Sequence, residues 1–168
     1  NNVFLGNIVI NDRIKEIAKE SLAALKSIGI QKNVMLTGDT KEVADIVARE
    51  VGLDYAYAQL LPQDKVDKLE EILAEKNTLA YVGDGINDDP VLARADVGIA
   101  MGGIGSDAAI EAADVVIMDD NLDNMVRGIK VAKRTMSIAK QNIAFAIGVK
   151  VIFLLLAAIG FGTMWEAV

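Results

Sequence analysis

Residues 83–90 read Gly-Asp-Gly-Ile-Asn-Asp-Asp-Pro, so Asp84, Asn87, Asp88 and Asp89 bring three carboxylates and a carboxamide into six positions of a glycine-loosened turn. Hard oxygen donors suit Mg²⁺, which keeps several waters and commonly bridges one or two carboxylates to phosphate oxygens. Asp84 is the first ligand expected, with Asp88 supporting it. A solvent-exposed Asp/Asn/Gly turn has the same composition, so the octapeptide alone fits both readings. A second string, Thr37-Gly38-Asp39-Thr40, offers a hydroxyl, a glycine N–H that can approach an anion closely, and the positive end of a following helix. Helix capping by Asp39 or Thr40, with Glu42 in the first turn, accounts for much of that string as well. The third is Lys65, in Leu61-Pro62-Gln63-Asp64-Lys65, which can meet a phosphoryl oxygen as a point charge or can simply be solvated. Taken together, a Thr, a Lys and an Asp pair supply what phosphoryl transfer needs, chiefly positioning and charge neutralisation.

These groups need a scaffold that brings them to one edge, and the hydrophobic pattern supplies it. Residues 3–10 read as a strand, after which Ile14, Ala18, Leu22 and Leu25 recur at helical spacing as far as Gly29. Residues 33–36 form a short apolar strand ending at Thr37, and Val43, Ile46, Val47 and Val51 mark a second helix closed by Gly52. A weaker strand over 55–60 precedes Pro62 and a third helix carrying Val66, Leu69 and Leu73. A buried strand over 78–82 and short strands over 97–100 and 115–117 follow. Alternating strands and amphipathic helices predict an α/β fold, a Rossmann-like parallel sheet with flanking helices. In such sheets ligands sit beyond the carboxyl ends of strands, where all three strings lie.

Composition narrows the chemistry. The 168 residues carry a formal charge of -7, which disfavours a nucleic-acid partner. Neither cysteine nor histidine occurs, which excludes disulfides, thiolate or imidazole metal ligands and every Cys- or His-based catalytic scheme. The opening residues lack a cleavable signal pattern and read as an internal strand.

The C-terminal part is different in kind. Residues 143–162, IAFAIGVKVIFLLLAAIGFG, supply roughly the 20 apolar residues that a membrane-crossing helix needs, interrupted only by Lys150. Lys130, Lys133, Arg134 and Lys140 precede it, and basic residues beside a spanning helix mark its cytoplasmic end. Trp165 is then expected at the far interface. A buried core helix of a soluble protein is the alternative. From Leu122 no breaker interrupts the helical pattern, which predicts one continuous rod. The expected division is a domain over 1–134 and a linker continuing into a transmembrane α-helix over 135–168.

The strings at 37–40, Lys65 and GDGINDDPVLARADVGIAMG at 83–102 closely resemble P-type ATPases. The resemblance implies a haloacid-dehalogenase-type fold, with residues 1–134 as the C-terminal part of the phosphorylation domain. It implies that Thr37 and Gly38 contact the phosphoryl group, that Lys65 neutralises it, that Asp84 binds Mg²⁺, and that Asn87 and Asp88 complete the site. Asp39 is expected to support the loop and nucleotide closure, and Asp12 to brace it. Asp89 and Val91 stand where the family usually has Ala, which puts an extra negative charge beside the metal. The stretch GGIGSDAAIEAADVVIMDD at 102–120, together with Asn142 and Lys150, resembles the members that export zinc, cadmium and lead. There Lys150 would act as a built-in countercharge to the transported ion, since an ionisable group at bilayer depth is costly. A Lys snorkelling to an interface is the plainer reading.

The family's phosphorylated Asp lies in an Asp-Lys-Thr-Gly-Thr motif, which this chain does not contain. The resemblance therefore implies that ATP-binding residues and the nucleophile lie in other segments of the same pump, and that the chain alone is inactive. Expected partners are ATP, a divalent heavy-metal ion and the lipid bilayer of the cell membrane, in a multi-pass protein with residues 1 to about 140 on the cytoplasmic side. A soluble phosphatase of the same superfamily is the competing enzyme, and it calls for its own nucleophilic Asp near the N-terminus and no spanning helix. A truncated regulatory or scaffold protein is the non-enzymatic alternative.

Overall fold

The first described helix, α1 (Glu16–Ser27), turns Ser21 and Leu25 into the interior, with Ala18 and Leu22 half-buried on the same face. The structure, a computed structural model, describes residues 14–75, 78–83, 88–102, 107–119 and 121–159. The strand expected over 3–10 lies outside them, as do Asp12, Asp84, Asn87 and Trp165.

After α1 the chain forms β1 (Val34–Leu36), α2 (Lys41–Val51), β2 (Tyr55–Tyr57), α3 (Pro62–Ala74), β3 (Ala80–Gly83), α4 (Asp89–Leu92), β4 (Val97–Met101), α5 (Asp107–Ala112) and β5 (Val115–Ile117). Every described strand pair is parallel, β1 with β2 in one sheet and β3-β4-β5 in another. Among the described residues, β1 and β3 each have one edge without a strand beside it. The α/β reading and its parallel strands therefore hold.

Two local expectations change. The strand expected over 55–60 ends at Tyr57, because Gln59 adopts φ 57°, a left-handed conformation that cannot continue a strand. In α2, Ala44 and Val51 are buried and Val47 is half-buried, whereas Val43 and Ile46 are exposed. Periodicity identified the helix, but the row that packs is shifted towards the small, buried Ala44. Gly52 ends α2 as expected, with φ 79° and its N–H on the Ala48 carbonyl at 2.9 Å.

Asp54 fastens the first two β–α units together. Its carboxylate accepts the Asn33 N–H at 2.7 Å and the Lys26 ammonium at 2.7 Å, while its own N–H donates to the Asn33 carbonyl at 2.9 Å. The Asn33 N–H, and next the Lys26 hydrogen bond, hold this carboxyl below its ordinary value of 3.8.

In the second sheet, Leu92 and Ala100 form a buried cluster against Tyr81, Ala113 and Val116. Gly98 permits the close approach of α4, since a Cβ there would stand 2.6 Å from the Leu92 carbonyl oxygen. The final helix, α6 (Leu122–Ala158), buries Met125 and Val126. Two compact units divide between Val126 and Arg127. Among the described residues α6 is the helix long and apolar enough to cross a membrane, and none of its apolar stretch is buried. Phe145, for instance, is 75% exposed.

Candidate functional site

The β1-β2 pairing carries Thr37 to the carboxyl end of its sheet, where the Thr37 N–H donates to the Tyr57 carbonyl at 2.9 Å. Beyond it the Thr37 hydroxyl donates to Asp39 Oδ2 at 2.7 Å and accepts the Asp39 N–H at 3.1 Å. Asp39 is thus occupied in holding the hydroxyl, and Thr40, at the N-cap of α2, makes no side-chain capping bond. Side-chain capping, the reading the sequence favours for this string taken singly, is not the arrangement found. What remains is a half-buried hydroxyl beside an exposed glycine backbone at the end of a strand.

The β2–α3 connection grips this loop from the other side. The Gln59 N–H donates to the Asp39 carbonyl at 2.8 Å, and the Leu60 N–H donates to the Thr37 carbonyl at 3.0 Å. The backbones run close together, since a Cβ on Gly38 would sit 3.4 Å from the Leu60 carbonyl oxygen. The same connection launches α3, with Pro62 in its first turn and Asp64 accepting the Leu61 N–H at 2.9 Å. Sequence reasoning passed over Gln59, because glutamine gives no signal for left-handed backbone.

Lys65 lies one turn into α3, on the inward face shared with Val66 and buried Leu69. Its ammonium donates to Asp88 Oδ1 at 2.8 Å, and the two side chains are 18% and 12% exposed. Asp88 stands just before α4, its carbonyl accepting the N–H groups of Val91 at 2.9 Å and Leu92 at 2.8 Å. Val91 and Leu92 are fully buried and anchor it. Gly83, the last residue of β3, lies directly against it, for a Cβ there would meet Asp88 Oδ2 at 3.1 Å. Two of the three strings selected by residue type thus meet in an ion pair, and the third is tied by backbone bonds to the loop that opens α3.

The Mg²⁺ expectation has partial material to be judged on. Asp84 and Asn87 lie outside the described residues. Asp88 gives one oxygen to Lys65, and Asp89 Oδ1 is buried without a hydrogen-bond partner among the described residues. A buried carboxylate oxygen left alone is costly, and a cation beside it would remove that cost. Among the described residues no three carboxylates gather into a cage. Mg²⁺ asks for only one or two carboxylates beside waters and phosphate, so this donor set fits it. Lys150 belongs to the second unit, where its side chain is exposed on α6.

Residues 3–96 match the family described as hydrolase, haloacid dehalogenase-like hydrolase. The chain is 54% identical over 168 residues to the cadmium, zinc and cobalt-transporting ATPase of Bacillus subtilis, covering 98% of this chain and 24% of that protein. It is 54% identical over 165 residues to the zinc-transporting ATPase of Synechocystis, covering 97% of this chain and 23% of that one. A crystal structure of a zinc-transporting PIB-type ATPase in its E2.Pi state superposes with a TM-score of 0.84 at 40% identity, covering 93% of this chain and 25% of that one. The chain therefore spans about a quarter of the length of these relatives.

Proposed function

We propose, from the premise that this chain belongs to the haloacid dehalogenase-like hydrolases, that it serves in an ATP-driven pump exporting divalent heavy metals such as Zn²⁺, Cd²⁺ and Pb²⁺ through an aspartyl-phosphate intermediate. The observation that carries the reading is the presence, in one chain, of the Thr37–Asp39 and Lys65–Asp88 pairs beyond strand ends and an exposed apolar helix of membrane-crossing length. A soluble phosphatase of the same family would use the first and has no use for the second. The names of the relatives at 54% identity support the same choice.

In this reading the Thr37 hydroxyl and the Gly38 N–H bind phosphoryl oxygens, and Asp39 orients the hydroxyl through the 2.7 Å bond. An ammonium has three donors, so Lys65 can keep Asp88 and still reach a phosphoryl oxygen. Asp84 and Asp88 hold Mg²⁺, with Asn87 completing the site. Bound there, Mg²⁺ supplies neutralisation of the negative charge on the phosphoryl group. ATP-binding residues and the phosphorylated Asp come from other segments of the same protein. The segment up to about residue 140 is cytoplasmic, α6 enters the bilayer of the cell membrane, and Lys150 acts there as countercharge to the transported ion.

The test is Asp84→Asn in the full-length protein. Mg²⁺-dependent turnover of the phosphoenzyme should be abolished, and wild-type ATPase activity would sink the assignment.

A further inference from the structure

Gln59 is the non-glycine residue with positive φ among the described residues, at 57°. Such a conformation is uncommon for a residue with a Cβ, and where it persists the surrounding structure holds it in place. Here the surroundings are identifiable. On one side, Thr37 extends the β1-β2 ladder through the Tyr57 carbonyl at 2.9 Å. On the other, the N–H groups of Gln59 and Leu60 donate to the carbonyls of Asp39 and Thr37 at 2.8 and 3.0 Å. The reversal at Gln59 lets the chain leave β2, cross the 37–39 loop and enter α3 within four residues. The Gln59 side chain is exposed, so packing of its amide does not account for the geometry.

We infer that Gln59 is a positioning residue: its left-handed backbone clamps the Thr37-Gly38-Asp39 loop and sets that loop against the start of α3, which carries Lys65. The inference rests on reading Thr37 and Lys65 as phosphoryl-binding groups. A hydroxyl and an ammonium on different elements can serve one phosphoryl group only if their spacing is fixed, and positioning is much of what such sites contribute. The backbone at residue 59 is the covalent route joining the two elements, and three hydrogen bonds brace it. The side chain at 59 then matters through its tolerance of positive φ, which is greatest for Gly and Asn, lower for unbranched residues such as Gln and Ala, and falls away at β-branched residues.

The experiment measures orthovanadate affinity, as inhibition of ATP hydrolysis, in the full-length protein carrying Gln59→Gly, Gln59→Asn, Gln59→Ala or Gln59→Val, with Thr37→Ala as reference. Half-saturation by the activating metal is recorded beside it. Gly, Asn and Ala, none of them branched at Cβ, should keep vanadate affinity within about threefold, and Val should weaken it by more than about tenfold, with metal half-saturation unchanged. Should the Val variant fail to fold, Gln59→Thr, β-branched but polar, takes its place with the same expected loss. Equal affinity across all four, or a loss with Gly and Asn as large as with Val, overturns the clamp. Thr37→Ala distinguishes the two levels. If it weakens vanadate while the position-59 series is flat, the clamp alone is wrong; if it leaves vanadate binding intact, the phosphoryl reading falls and the clamp with it.

Discussion

Lys65 and Asp88, 23 positions apart in sequence, share a largely desolvated ion pair, so removing one partner leaves the other charged, buried and alone. Lys65→Ala is therefore expected to destabilise the domain by about 3 kcal/mol, whereas Lys65→Ala combined with Asp88→Ala should recover a large part of that loss. Denaturant unfolding of the two variants and the parent checks this, and additive effects would show that the pair is not coupled. Asp54 gives a pH signature. Its carboxyl is held below 3.8 in the folded state by the Asn33 N–H and Lys26, so its stabilisation is complete above that value and disappears as pH falls through the lower folded value. Thermal melting of Asp54→Asn should lie below the parent near neutral pH, and the two should converge in acid. The residue types of the candidate site were readable from sequence because each has a definite chemical use. Their partners were not, since an ion pair between α3 and the start of α4, or a hydroxyl taken by Asp39 in place of a cap, depends on tertiary geometry.

At the scale of elements, the strands and the three longer amphipathic helices of the first unit followed from periodicity, Gly52 and Pro62. The misjudged stretches share a cause. Leu60 and Leu61 extend the apolar run beyond Tyr57, and nothing in their types announces the reversal at Gln59. Likewise, α2 offers two apolar rows, and burial selects the one containing Ala44. The four-residue α4 is too short for periodicity to register, yet it positions Asp88. Its seat depends on Gly98, where a Cβ would stand 2.6 Å from the Leu92 carbonyl oxygen and 3.2 Å from the Leu92 carbonyl carbon. Backbone, unlike the end of a flexible side chain, cannot step aside cheaply. Gly98→Ala should cost about 1–3 kcal/mol. It should also lower phosphoenzyme turnover by shifting α4, measured as a reduced denaturant midpoint together with a reduced rate.

For the whole molecule, the division between Val126 and Arg127 separates a unit with the candidate phosphoryl site from one dominated by apolar helix. The membrane reading was available from sequence because length and composition mark a helix able to cross a bilayer, and the exposure of α6 is compatible with it. Under the proposed function, Lys150 on that helix is the countercharge to the transported ion. Lys150→Ala should change the dependence of ATPase activity on Zn²⁺ and Cd²⁺, and an unaltered response would remove it from transport. The most direct test of the account is labelling of the full-length protein in membranes with ATP carrying a radioactive γ-phosphate. The account predicts an acid-stable phosphoenzyme that forms on addition of Zn²⁺ or Cd²⁺ and turns over far more slowly in Asp84→Asn. Labelling that ignores these metals, or no labelled intermediate beside steady hydrolysis of soluble phosphate monoesters, would contradict it.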